Sequence, residues 1–466
     1  MNTFNLSQSK FSQVIRKFAS SGFYLLLITI ICYISWAFSL VFLGLSLLTL
    51  LLVIILVTQS NTFYCLPVFL LAFYMFPDFK PAYYYAGIHL GIFALAVVFN
   101  IFAYKRKLEK GALFYPILST FLAAIIGGIV YTTITYGFFE YFKDVLFILV
   151  LTVSFAGGYL FLNSTVSIKD INTDYKKYIS MVMLFVAVLT IAQMLTYYLR
   201  VDNIALAISQ KTLRLGWGNT NTLATIIMTT IPFTLYLSTR YRYGAFFSVL
   251  ACLEYTAIWI THSRGCIIVS TAMLFFYLVY LIIKMKDVNR YIMIINMALY
   301  IIAALVFVTV YKDKFLELFG KIFEKGLDDS GRFNLYNEAW ELFKKHFIFG
   351  TGYYYKTDQI KSFMYMFHCT FLQIAANLGI VGIIAFGYFY YHKYKILLKN
   401  LKCPMGMATM VAILSLELYG IIDVTLVVYY IAITTLVLLL IAQKSLELQN
   451  IEKTIEEKND RNIKNN

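Results

Sequence analysis

Apolar residues along this chain come in long, nearly unbroken stretches, each closed by a short polar or charged loop. A run of about 17–25 apolar residues is what a helix needs to cross roughly 30 Å of hydrocarbon with every backbone group bonded internally. About fourteen such runs are present, near residues 20–38, 40–58, 62–78, 83–103, 112–131, 144–162, 178–199, 220–239, 245–260, 266–283, 291–311, 368–390, 404–420 and 424–442. The first two join almost without interruption from Gly22 to Thr58. The pattern predicts an all-α, polytopic integral membrane protein with about 14 transmembrane helices. Its membrane domain spans 1–443, with one larger extracytoplasmic helical loop at 312–366. A polar tail, 444–466, rich in Asn and Lys, is expected as a frayed cytoplasmic helix or disorder.

The 312–366 loop is the one sizeable stretch that must live in water. It reads D-D-S-G-R-F-N-L-Y-N-E-A-W from Asp328 to Trp340. A helix is expected there, opened by Arg332, capped by Asp329 or Ser330, carrying Glu341 and Lys345 as an i,i+4 pair and ended at Gly350. Arg332, Tyr336 and Trp340 recur at i, i+4 and i+8 and so share one face.

Composition agrees with a membrane protein: 61% of residues are apolar and 14% charged, more apolar surface than one soluble core covers. Charge then orients the spans. With both ends cytoplasmic, the inner loops carry Lys10, Arg16, Lys17, Lys105, Arg106, Lys107, Lys110, Lys169, Lys176, Lys177, Arg240, Arg242, Lys284, Lys286, Arg290, Lys393, Lys395, Lys399 and Lys402. The short outer loops hold Lys80, Lys143, Arg200, Lys211, Arg214 and Arg264. The net charge of +15 therefore reads as topology plus attraction to anionic headgroups, with no nucleic-acid footprint. The amino-terminal segment has the length of a signal anchor, not of a cleaved signal peptide. The six cysteines are scattered singly, with no metal-ligand spacing, no Walker glycines and no dinucleotide fingerprint, so metal, ATP and other cofactors are not expected. No internal repeat or matched pair of broken helices stands out, which weighs against a secondary transporter.

Candidate chemistry lies at the outer ends of the spans. Arg214 sits in L-R-L-G-W-G-N-T-N-T, Arg264 in T-H-S-R-G, Arg332 opens the outer helix, and His368 precedes a long apolar run. Guanidinium forks pair bidentately with phosphate oxygens, and an imidazole accepts a proton near neutral pH, so the set suits a lipid diphosphate and an acceptor hydroxyl. Each residue also has a plain structural explanation. Arg264 alone is as well explained as an interfacial snorkelling anchor, and Arg214 beside Trp217 as part of an aromatic belt. Asn219 and Asn221 read as caps, His346 as packing or capping, His262 as a possible site-lining group, and Cys369 as packing. Among the acids, Glu254 is expected to orient a neighbouring helix, Glu417 lies close to a span, and Asp423 is placed to contact the site.

The ordered set, Arg214 with G-W-G-N-T-N, S-R-G at 263–265, S-G-R-x7-W at 330–340, H-F-I-F-G-T-G at 346–352, then His368 and L-G-I-V-G at 378–382, resembles the O-antigen ligase and polysaccharide polymerase family over about 214–387. The resemblance implies an all-helical, GT-C-type bacterial glycosyltransferase at the outer face of the plasma membrane. Such an enzyme takes a glycan from undecaprenyl diphosphate without metal or nucleotide sugar. It implies that Arg214 and Arg264 hold the diphosphate, Arg332 shapes or joins that site, and His368 acts on the acceptor hydroxyl. Asn219, Asn221, Trp340 and Asp423 are candidates to support these residues from behind. Implied partners are the lipid-linked glycan, an acceptor glycan, the bilayer and other polysaccharide assembly proteins, with no nucleic acid. The family has H-N where His368-Cys369 stands and often Pro at Phe347. A polymerase is the first expectation and a ligase, acting on lipid A core or another acceptor, the second. A transporter or flippase of lipid-linked oligosaccharide is the reading from another class, and a membrane scaffold the third.

Overall fold

The computed structural model describes residues 9–77, 82–241, 244–324, 331–353, 366–425 and 428–464, and these are helical throughout apart from their connections. Lys80, Arg242, Asp329 and Ser330 and much of the tyrosine-rich part of the 312–366 loop lie outside the described residues. Among the described residues there is no strand, only an isolated bridge between Arg214 and Asn219. Nine described helices are long and apolar enough to cross a membrane, ten if the bent pair Lys10–Ala19 and Gly22–Ala37 is one span. The remaining expected runs are also helical but fall short: Phe63–Met75, Phe246–Ile260 and Pro404–Tyr419 in length, and Thr220–Ser238 because threonine and asparagine dilute its hydropathy. The count of fourteen is therefore not reached by length and composition. The last helix, Tyr429–Lys464, continues without a break through the polar tail.

The chain divides into two units. The first comprises Met1–Arg106, Asp170–Leu327 and Lys402–Leu416, the second Lys107–Lys169, Asp328–Leu401 and Glu417–Asn466.

The first unit is built around Thr220–Ser238, a helix buried on nearly every side. All-round burial of so many hydroxyls is tolerable because they are bonded internally: Thr225 donates to Asn221 O and Thr229 to Thr225 O. Thr230 and Thr234 donate to the two carboxyl oxygens of Glu254, at 2.9 and 2.6 Å, which fixes the Gly244–Ile260 helix against it as the sequence suggested.

The second unit contains the least expected element. The helix Thr370–Lys399 is interrupted at Gly379, where φ is 62° and ψ −156°. In a straight helix Phe371 and Tyr390 would stand about 28 Å apart; their rings are 6.0 Å apart. The run expected as one span is thus two helices folded sharply at Gly379. A break of this kind leaves backbone groups unbonded in apolar surroundings, which a membrane protein cannot leave unsatisfied. The 346–352 loop supplies them: Thr351 N donates to Ala376 O (3.0 Å), Gly352 N to Asn377 O (2.9 Å), Ile380 N to Phe347 O (2.8 Å) and Val381 N to Ile348 O (3.3 Å). Glycine is required where the two backbones meet. A Cβ on Gly379 would lie 2.4 Å from Ile348 O, and one on Gly350 2.2 Å from the carbonyl carbon of Asn377.

Candidate functional site

The second unit places His368 and Asp423 together. His368 immediately precedes Cys369, the N-cap residue of the Thr370–Lys399 helix, and its backbone is left-handed, φ 51°, a conformation that costs a non-glycine residue energy unless its surroundings hold it. Several bonds do so. Tyr336 OH donates to His368 O at 3.1 Å, Thr370 N to Gly420 O at 2.7 Å, and Thr425 N to Thr370 Oγ1 at 3.0 Å. Asp423 follows the Pro404–Tyr419 helix in the connection to the last span. Its Oδ1 lies 3.0 Å from His368 Nδ1 and accepts Val424 N–H at 2.8 Å, while Oδ2 accepts Tyr419 OH at 3.0 Å.

Burial works to raise the pKa of Asp423, but the hydrogen bond and charge of His368, with the bonds from Val424 N–H and Tyr419, outweigh it and hold the carboxyl below its ordinary value. An ionised carboxylate only accepts, so Nδ1 donates the hydrogen facing it, which in the neutral imidazole is the tautomer with its lone pair on Nε2. The pair is asymmetric in exposure: the Asp423 side chain is 14% accessible and that of His368 40%. The arrangement is an imidazole oriented by a more deeply buried carboxylate.

Arg332 joins this region through its helix, Arg332–Lys345. Tyr336, one turn along the same face, is the residue that bonds His368 O, while Ala339 packs with Phe367 and Ala376 in a buried cluster. Trp340 is 49% exposed, with its ring 5.4 Å from that of Phe343 and tilted 37° to it. Local details differ from expectation. The helix starts at Gly331, φ 81°, with no side-chain cap. Glu341 pairs with Lys344 rather than Lys345, because the i,i+3 geometry brings the ends to 2.5 Å. The helix ends at Lys345, and Gly350 serves the docking of the loop into the Gly379 break. His346 caps the helix end and packs on Tyr131 at 4.7 Å; burial and then Lys345 lower its pKa, which keeps it neutral.

The first unit holds Arg214 and Arg264 at the amino-terminal ends of two touching helices. Arg264 is the first residue of Arg264–Lys284, and Arg214 forms the bridge to Asn219, the N-cap of Thr220–Ser238, whose side chain accepts Thr222 N–H at 3.1 Å. The amino-terminal parts of these helices meet where Thr225 Oγ1 lies 3.5 Å from Cys266 Sγ and that thiol 4.0 Å from Asn221 O. Asn221 thus takes part in the helix contact and is not a cap. Two helix N-termini present partial positive charge at this end. An arginine there opposes the dipole, whereas an anion is favoured by both arginine and helix ends.

The Arg214 loop is rigidly held. Trp36 donates to Leu215 O at 2.9 Å, and Trp217 to Gln193 Oε1 at 3.0 Å, with its ring against Tyr74. Trp217 is 2% exposed, which removes the aromatic-belt explanation for it. His262 is buried, φ 56°, with its ring 5.2 Å from Phe319 of the Lys312–Glu324 helix. Cys369 is buried, in keeping with packing.

Of the candidates, then, Arg332, His368 and Asp423 share the second unit, and Arg214, Asn219, Asn221 and Arg264 the first. Tyr419 and Thr370 escaped the sequence reading; only the four-residue spacing of Tyr419 and Asp423 could have signalled the former, and that spacing is common. Residues 245–387 match the O-antigen ligase family. The resemblance read from the sequence is therefore shown over a segment that includes Arg264, Arg332 and His368, while Arg214, Asn219, Asn221 and Asp423 lie outside it. No curated protein and no solved structure matches the chain.

Proposed function

With an O-antigen ligase-type segment at 245–387 as its footing, we propose that this membrane protein transfers a glycan from undecaprenyl diphosphate to an acceptor sugar hydroxyl at the outer face of the plasma membrane. The observation that carries the reading is the His368–Asp423 pair, with Nδ1 fixed at 3.0 Å and an accessible imidazole edge. His368 takes the proton from the acceptor hydroxyl as its oxygen attacks the anomeric carbon. The bond to the diphosphate breaks, and the anomeric configuration inverts. Asp423 holds the imidazole and stabilises the imidazolium that forms. Arg214 and Arg264, with the helix ends beside them, and Arg332 neutralise charge gathering on the departing lipid diphosphate, where preorganised positive charge lowers the barrier most. The reading needs no metal or other cofactor.

Polymerisation of repeat units is the first form of the reaction and transfer to a second acceptor the other. Purified protein given an undecaprenyl-diphosphate oligosaccharide, with products resolved by length, separates them. A ladder means polymerase. A single transfer to added acceptor means ligase, and unchanged glycan moved across vesicles means a flippase and ends the enzymatic reading. Replacing Arg214 or Arg264 by Lys tests bidentate diphosphate recognition: each variant loses transfer at least tenfold, and full transfer by both contradicts it.

A further inference from the structure

The end of the Val41–Thr58 helix, far in sequence from the residues above, is enclosed by side-chain donors. The last carbonyls of a helix lack intrahelical partners and carry the negative end of its dipole. Here Asn100 donates to Leu56 O and Gln59 O, Tyr104 to Val57 O, Ser12 to Thr58 O and Arg106 to Ser60 O. Arg16 Nε donates to Gln59 Oε1 at 3.1 Å, so two guanidinium groups stand on adjacent residues, Gln59 and Ser60. Lys10, Lys17 and Lys105 are exposed beside them in sequence and take no part in the capping. Among the described residues none of these five cations is in an ion pair. Capping accounts for two of the charges and leaves three without a structural task.

The helix carrying three of them, Lys10–Ala19, has three distinct faces. Ser12 and Arg16 face the end of the Val41–Thr58 helix, where Gln59 Nε2 also donates to Ser12 O at 2.8 Å, and Ala19 is buried on the same side. Phe11 and Val14 turn apolar surface outward, 60% and 63% exposed. Lys10, Gln13 and Lys17 make the third face, about 100° further round. The helix is bent by 69° from the apolar Gly22–Ala37 helix that follows. A short helix lying off the span axis, apolar on one face and cationic on the next, is the form that sits at the boundary between acyl chains and headgroups.

We propose that this end of the first unit binds the phosphodiester headgroup of anionic phospholipid, with Phe11 and Val14 in the acyl boundary and Lys10, Lys17 and Lys105 on the phosphate oxygens. Arg16 and Arg106 fix the platform by capping the span. Charge complementarity selects the occupant: five cations without acidic partners fit an anionic lipid, and a zwitterionic headgroup gains little from them.

The full-length protein is delipidated, titrated with phosphatidylglycerol or phosphatidylcholine, and bound lipid is read by native mass spectrometry. The wild type retains phosphatidylglycerol preferentially, and raised salt releases it. The triple variant Lys10→Gln, Lys17→Gln, Lys105→Gln loses affinity on the order of 100-fold, roughly fivefold per lysine. Lys344→Gln, an exposed lysine elsewhere, leaves retention unchanged. Equal retention of the two lipids, salt-independent binding, undiminished affinity of the triple variant, or an equal loss in Lys344→Gln each overturns the proposal.

Discussion

Replacing Asp423 by Asn removes a charge while keeping the shape. The Asn carbonyl oxygen can still accept Val424 N–H and face His368 Nδ1, and its amide can donate to the Tyr419 oxygen, so the ring keeps its place and tautomer. What disappears is the negative charge facing the imidazolium that forms during transfer. Unit charges about 4 Å apart interact by about 4 kcal/mol at an effective dielectric near 20. His368 is 40% accessible, so water screens roughly half of that. The remaining ~2 kcal/mol corresponds to a loss of about 30-fold in kcat with KM little changed. Asp423→Ala also frees the ring and leaves Val424 N–H and the Tyr419 hydroxyl without that acceptor, and falls further, by about 100–1000-fold. Initial rates of glycan transfer by the purified variants, at saturating lipid-linked donor, give both numbers. The reasoning is refuted if Asp423→Ala retains wild-type turnover, or if Asn and Ala are indistinguishable from it.

Other outcomes follow from the same geometry. Tyr336→Phe removes the hydroxyl that holds His368 O and lowers kcat about fivefold, a loss of ~1 kcal/mol. Gly379→Ala meets both a left-handed φ and Ile348 O at 2.4 Å; it destabilises by about 1–3 kcal/mol, seen as a lower unfolding temperature and faster proteolysis within 346–353. The buried pair of Lys393 and Glu417, with Tyr394 also on the carboxylate, makes Lys393→Met alone cost about 3–5 kcal/mol, while Lys393→Met with Glu417→Gln costs less, by thermal unfolding in detergent. Because the carboxyl of Asp423 is held below its ordinary value, its contribution to stability is complete above the usual carboxylate pKa of about 4 and is lost as pH falls through the depressed value. The stability difference between wild type and Asp423→Asn therefore shrinks and vanishes as pH falls into the acid range, read by thermal unfolding.

Helicity and the apolar runs were legible because lipid-compatible length is written directly in composition. The fold at Gly379 was not. A hydropathy window averages over its residues, and a helix that folds back reads the same as one that runs straight. Glycine does not resolve the matter, since it also serves close helix packing in membranes. Only the partner loop at 346–352 gives the break its meaning, and that pairing is set by tertiary contact. The same limit applies to Trp217, whose type suits an interfacial belt but whose indole N–H is committed to Gln193 inside the protein. His368 and Asp423 could be nominated separately from their positions at the ends of apolar runs. Their 3.0 Å contact depends on the Thr370–Gly420 backbone bond, which no local pattern announces.

The central claim, that His368 receives the acceptor's proton during transfer from a lipid diphosphate, is tested most directly by single-turnover transfer with His368→Ala at saturating undecaprenyl-diphosphate oligosaccharide. A slowing of about 100–10,000-fold with donor binding intact is predicted. Transfer within a few-fold of wild type would contradict it.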